Sequence, residues 1–367
     1  MQRGGMSFER GFNFSTGSSR KGTRRGFVRA QLQVAAAFSG WRLGVFGSRA
    51  LGADVVLGQG EHRYRVVEGW GVLDASTPVS HCHGIVCTRG GHIVLLTTHT
   101  ANNVLVYEKS GKLLHKWGSV FPGAHGLSLV EEAGREVLFL TDLNRHLVVK
   151  ATLSGEILQE WAWPQESRKY ASESDYKPSW TLHRANGEFF VLDGYGQDYI
   201  ARYGADGKYA GVFGGKEGGI SHWGPHGGML DVRNNGQETL LIAMSDQQHL
   251  LRLSLQGDHL EQIPMPGGNP RQVRRVGKNY FVAHLADNWP KDRNSRGFLS
   301  VLDENLRVVS NIWGTPPVYG DDGKLEPMKN SETPFTHPHD VTVDSEGSLY
   351  VAQFHSGNTY PIKLERI

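Results

Sequence analysis

Only two cysteines, Cys82 and Cys87, occur in the 367 residues, so no disulfide framework organises this chain. They stand five positions apart in one β-rich run, a reach near ~17 Å, too far for a bridge within that strand. Cysteine therefore leaves the redox compartment undecided. No long apolar pattern of period 3.6 argues for a helical domain. No G-x-x-x-x-G-K-[ST] loop follows a strand, and no G-x-S-x-G elbow is present, which sets aside phosphate-loop and serine-hydrolase chemistry. Basic charge is scarce where it would matter. The formal net charge is +2, but residues 1–53 hold nine Lys/Arg against one Glu, leaving 30 basic and 36 acidic groups, a net of −6, for the rest. That mildly acidic remainder offers no basic stripe for nucleic acid.

What is abundant is glycine, 47 residues, and a short repeat. Six β-rich runs, most of them ending in an aromatic residue and often glycine, can be laid out: 64–71, 112–118, 156–161, 208–214, 259–263 and 307–314. Their spacing of roughly 45 to 50 residues suits one four-stranded propeller blade. Ser110-Gly111, Ser154-Gly155, Asp206-Gly207 and Gln256-Gly257 precede four of the runs, and glycine there supplies the positive φ of a hairpin turn. The first run precedes any complete unit, and the run 360–367 has no fourth strand after it. The N-terminal run is therefore expected to complete the last blade and close the ring, removing its exposed edges. The fold class is all-β: a six-bladed β-propeller over residues 60–367.

Residues 1–53 read as a leader. Thr23-Arg24-Arg25-Gly26-Phe27-Val28-Arg29 precedes a modestly apolar stretch from Val34 to Gly40 and small residues near Ser48, Ala50 and Ala53. This pattern points to twin-arginine export to a periplasmic or extracellular location; a disordered basic tail is the competing reading. The apolar stretch is too short and too polar to span a bilayer.

Three histidines stand in near-identical frames: His125 in A-H-G-L-S-L, His226 in P-H-G-G-M-L and His339 in P-H-D-V-T-V. Each opens a first strand, and they fall in every second repeat. In a six-unit ring such positions converge on the axis with threefold spacing, and three imidazoles with an open position describe a catalytic zinc site. A histidine so placed can equally serve only to hydrogen-bond a neighbouring blade. His83, in Cys82-His83-Gly84, occupies the same frame in the first blade and is expected to face the channel. His99, His284 and His355 follow second strands, as does Tyr195 in its blade, and are expected at the rim. Arg271 holds the first-strand position of the fifth blade, either to bind a substrate carboxylate or to form a solvent-facing salt bridge.

Residues from about 60 to 367 resemble the NHL-repeat propellers and, within them, the lyase domain of the peptidylglycine α-amidating enzymes. Pro122–Leu129, Pro225–Leu230 and Thr336–Val341 look like that family's three zinc-histidine segments, and Phe190-Val191-Leu192-Asp193-Gly194-Tyr195 like the segment of its catalytic tyrosine, in the same order. The resemblance implies zinc at His125, His226 and His339, Tyr195 as general base or metal-bound phenolate, and structural calcium at Asp340 and the Leu127 carbonyl. Asp340 alternatively caps a turn in its own blade. The implied reaction cleaves a peptidyl α-hydroxyglycine to a peptide amide and glyoxylate. The chain departs from the family at two arginine positions, which fall near Thr98-His99 and Ser245-Asp246-Gln247, and has His337 where the family has methionine. His83, His99, Arg271 and His337 are accordingly the residues expected to meet a small-molecule or peptide substrate at the channel mouth. Two other readings are a non-catalytic propeller that binds a partner at its rim and a lactonase-type hydrolase, a class that builds its site from acidic and amide side chains.

Overall fold

The computed structural model describes residues 55–215, 224–232, 236–288, 291–292, 294–331, 335–354 and 360–367. The twin-arginine segment and His355 lie outside the described residues. Among those described, no helix is long and apolar enough to cross a membrane.

Six four-stranded antiparallel sheets make six blades, each running in sequence order from its first strand outward. Blade 1 comprises Cys82–Cys87, Ile93–Thr97, Val104–Tyr107 and Leu113–Trp117; blade 2 comprises Ala124–Glu132, Arg135–Asp142, Leu147–Thr152 and Ile157–Trp161. Blade 3 holds Trp180–His183, Phe189–Leu192, Tyr199–Tyr203 and Tyr209–Gly214; blade 4 holds Pro225–Val232, Glu238–Met244, His249–Leu253 and His259–Pro264. Blade 5 is built from Pro270–Val276, Asn279–His284, Phe298–Leu302 and Val308–Ile312. In blade 6 the strands Pro338–Val343, Leu349–Gln353 and Ile362–Arg366 are completed by Tyr64–Val67, which pairs antiparallel with Ile362–Arg366. The expected closure by the N-terminal run is what the chain does.

Each first strand packs against the first strands of both neighbouring blades, so the six close around a central channel. The core lies between blades: six buried apolar clusters fill the six junctions. The aromatic residues and glycine turns of the repeat turn out to be two halves of one contact. Trp70, Trp117 and Trp161, from last strands or just beyond, donate their indole N–H to the carbonyls of Lys109, Leu153 and Gly207 in the outer turn of the next blade. At Gly155 a Cβ would meet the Trp117 ring at 2.7 Å, so that turn needs glycine for space as well as for its φ of +96°.

Candidate metal and acid–base site

The channel-lining positions depend on a repeated irregularity. In blades 1, 2, 4, 5 and 6 the pairing of first and second strands shifts register where His83, His125, His226, Arg271 and His339 stand. Blade 3 carries Trp180 there and pairs in register with Leu192. A bulge leaves one residue unpaired and re-aims its side chain; here it turns the polar side chain of each strand toward the axis.

A second device fixes the imidazoles. His83 Nδ1 lies 2.9 Å from the Ala124 carbonyl, His125 Nδ1 2.9 Å from Ser179 O, His226 Nδ1 2.8 Å from Arg271 O, and His339 Nδ1 2.7 Å from His83 O. A carbonyl only accepts, so each Nδ1 carries the proton and each Nε2 keeps its lone pair. Every acceptor belongs to the next blade. The glycine after the histidine permits that approach: a Cβ on Gly126 would stand 2.5 Å from Ser179 O, and one on Gly227 2.4 Å from Arg271 O, the same two carbonyls the histidines use.

The four rings converge. Ring centroids of His125, His226 and His339 form a nearly equilateral triangle with sides of 4.8 to 4.9 Å, as threefold spacing requires. His83 lies against one edge, 4.6 Å from both His125 and His339. The ligand nitrogens of His83, His125 and His339 all lie within 4.8 Å of one another, and His125 Nε2 is buried with no hydrogen-bond partner. Burial drives the His125 imidazole down to about 4, with Arg271 adding to the effect and the Ser179 bond opposing it. Burial likewise holds His83, His226 and His339 well below the usual range. His83, His125 and His339 thus present mutually close nitrogen donors, and the neutral imidazoles of the cluster fit a borderline transition metal such as zinc.

Tyr195, in the loop after the second strand of blade 3, places its hydroxyl 2.9 Å from His226 Nε2. Since His226 protonates Nδ1, the phenol donates. Loss of water around that hydroxyl raises the phenol, against a lowering pull from Arg271. Tyr195, His226, Ser245, Asp246 and Arg271 share a cavity of about 250 Å³. Arg271 is buried and its Nε has no hydrogen-bond partner, so the solvent-facing salt bridge is not what this residue makes.

The remaining expectations divide. His337 is buried and bonds through Nδ1 to the Leu285 carbonyl at 3.0 Å. His99 sits in a turn, its Nδ1 accepting the Ala101 N–H at 3.2 Å, and no contact with the cluster appears among the described residues. His284 is a correction: it is fully buried, stacked on Phe298 and bonded to Ser300 Oγ, inside blade 5 rather than at a rim.

Sequence reasoning missed Arg274. Its Nε donates to Asp340 Oδ1 at 2.9 Å, and its NH2 group lies 2.5 Å from Asp340 Oδ2 and 3.3 Å from the Leu127 carbonyl. Asp340 also accepts the backbone N–H of Ile85 and of Val341. Both carboxylate oxygens and the Leu127 carbonyl thus answer a guanidinium. That arrangement does not suit calcium, nor is Asp340 a turn cap. The nearest signal in the sequence was the run Arg271-Gln272-Val273-Arg274-Arg275.

The fold places the chain among β-propellers with a histidine-lined axis. No family model and no curated protein sequence matches it. Solved structures do. It is similar to a streptogramin B lyase, with TM-score 0.53 and 15% identity over 80% of this chain and 95% of that one. A virginiamycin B lyase from Staphylococcus aureus gives TM-score 0.50 and 14% identity over 84% of this chain and 88% of that one. A protein of unknown function from Bacteroides thetaiotaomicron gives 0.53 and 12% over 79% and 70%. At such identities the likeness is one of fold.

Proposed function

We propose that this protein is a metal-dependent lyase acting at the histidine end of its channel, cleaving the N–Cα bond of an α-hydroxyglycine-type substrate. One observation carries the reading: four imidazoles are locked with their Nε2 lone pairs toward the axis, and a tyrosine hydroxyl reaches one of them beside an open cavity. Propellers of this fold that are lyases, one of them an inactive form solved with quinupristin, are consistent with chemistry at such a site.

A metal bound among the histidines would supply Lewis-acid stabilisation to the substrate's hydroxyl oxygen. In its ionised form, which the charge of Arg271 favours, Tyr195 would take up the hydroxyl proton as the C=O bond forms and the C–N bond breaks, and would pass that proton to the departing nitrogen, giving an amide and a glyoxylate-type product. Arg271, buried and without an acceptor for its Nε, meets the substrate carboxylate in place of the arginines missing from the rim. Zinc is the proposed metal, and the first 53 residues the proposed export leader. Incubating the zinc-loaded full chain with a peptide ending in α-hydroxyglycine, and following the amide by mass spectrometry, tests the reading. Metal-dependent amide release above the spontaneous rate is expected; zinc-bound protein with no acceleration leaves a propeller whose histidines only tie blades together.

A further inference from the structure

The geometry points to a second binding site, further along the first strands than the histidines, for a small organic carboxylate with an apolar body. It needs neither the metal nor the lyase reaction of the proposed function.

The site is a cavity of about 400 Å³, within the usual range for small-molecule pockets. All six first strands line it: Cys87, Ser128, Thr181, Gly228, Arg274 and Thr342 belong to blades 1 to 6 in turn. No lining residue is shared with the cavity of Tyr195 and Arg271. Arg274 accounts for the separation. Its guanidinium leaves blade 5 and bonds to the Leu127 carbonyl of blade 2 at 3.3 Å, three blades on and therefore on the opposite side of the ring. It crosses the axis and floors the cavity, held there by Asp340 of blade 6.

The walls are apolar around a floor rich in donors. Leu129, Met229, Val273 and Val343 supply the walls. Arg274 and Arg275 supply the charges, and no carboxylate stands among the described lining residues. Their partners Asp340 and Asp231 are wholly buried, whereas the two arginine side chains are 21% and 28% exposed. Neither guanidinium is used up. Arg274 engages Nε and Nη2; Arg275 engages Nε and Nη1 and shares Asp231, at 3.3 Å, with Arg252 at 2.6 Å. Among the described residues, Arg274 Nη1, Arg275 Nη2 and the Thr342 hydroxyl have no hydrogen-bond partner. The other polar side chains are committed. His183 Nε2 bonds to the Thr181 hydroxyl, which donates to Ser128 Oγ, which donates to the Thr181 carbonyl. Gln272 gives its amide N–H to the Gly228 carbonyl and keeps its Oε1 buried. The cavity therefore offers N–H and O–H donors, which suit a carboxylate, and apolar walls that favour a hydrocarbon body.

Equilibrium dialysis of radiolabelled hexanoate against the full chain tests the site, with hexanamide as competitor and circular dichroism as the check on folding of each variant. The expected result is one hexanoate per chain with Kd below about 1 mM, and hexanamide weaker by about tenfold or more, the scale of a hydrogen bond to a charge. Arg275→Gln is expected to weaken hexanoate by about tenfold, and Met229→Trp, which fills the cavity, to abolish binding. Arg271→Ala and removal of metal by a chelator should leave the affinity unchanged. No binding to folded wild type overturns the site. So do binding that survives in folded Met229→Trp, an equal affinity for hexanamide, and loss of binding in Arg271→Ala or on chelation, which would move hexanoate to the histidine end. Should Met229→Trp not fold, unchanged affinity in Arg275→Gln is the overturning result.

Discussion

The two ends of the channel solve opposite problems with the same strands. At the histidine end, donor nitrogens, a tyrosine hydroxyl and a guanidinium Nε converge with groups left over: His125 Nε2 and Arg271 Nε have no partner. One to three residues further along the same first strands, Asp340, Leu127 and Arg274 answer one another, with the Arg274 guanidinium also 5.8 Å from the centre of the Trp180 ring. Buried polar groups are costly when unpaired. The histidine end carries unpaired nitrogens, whereas the Arg274–Asp340 ion pair, with the Leu127 carbonyl, ties blades 2, 5 and 6 together. The difference supports the proposal that the histidine end is where a metal and substrate bind.

Several substitutions would break or sharpen this contrast. Tyr195→Phe, which removes one hydroxyl, is expected to lower kcat/KM by ~10²–10⁴, the usual span for a general base, while urea unfolding changes little. Arg274→Ala acts at the satisfied end. It leaves the Asp340 carboxylate buried and unpaired and is expected to cost ~3–5 kcal/mol in urea unfolding, with zinc content retained if the two ends are independent. Arg271→Ala should weaken binding of a carboxylate-bearing substrate by ~1.5–3 kcal/mol, the worth of a hydrogen bond to a charged group, read as a higher KM with stability near wild type. A gentler effect comes from acid. Burial pulls His183 and His284 down to about 3, from an ordinary value near 6.5. Between those values the unfolded chain binds more protons, so stability rises with pH across the window and is lost as pH falls through it; His284→Asn should flatten the slope in a melting-temperature profile. The smallest effect is expected from calcium. Because a guanidinium already occupies Asp340, adding calcium or a calcium-selective chelator should move stability by less than ~0.5 kcal/mol, the range of an ordinary surface change.

Much of the architecture was legible because each blade repeats its own local chemistry. The aromatic at the end of one last strand and the glycine of the next outer turn recur as a pair, and the structure shows them in contact. The histidine frames were legible too, since the histidine-glycine pair marks where the next blade approaches. What could not be read was side-chain direction. In a regular strand Arg271 and Arg274, three apart, face opposite sides, and so do the neighbours His339 and Asp340. The register shifts at Pro270/Gln272 and Pro338/Asp340 reset that alternation and let both members of each pair line the channel. A one-residue slip reverses every face, and no residue type in these strands announces it.

One of the bonds described for the imidazoles joins His339 to the carbonyl of His83 at 2.7 Å. It crosses the junction between blade 1 and blade 6, the blade that the chain completes by pairing Tyr64–Val67 with Ile362–Arg366. A metal held among the histidines, as proposed, would be a clasp on the clasp: it would resist the peeling of the closing blade, so that pulling the ring open and stripping its ion would become one mechanical event.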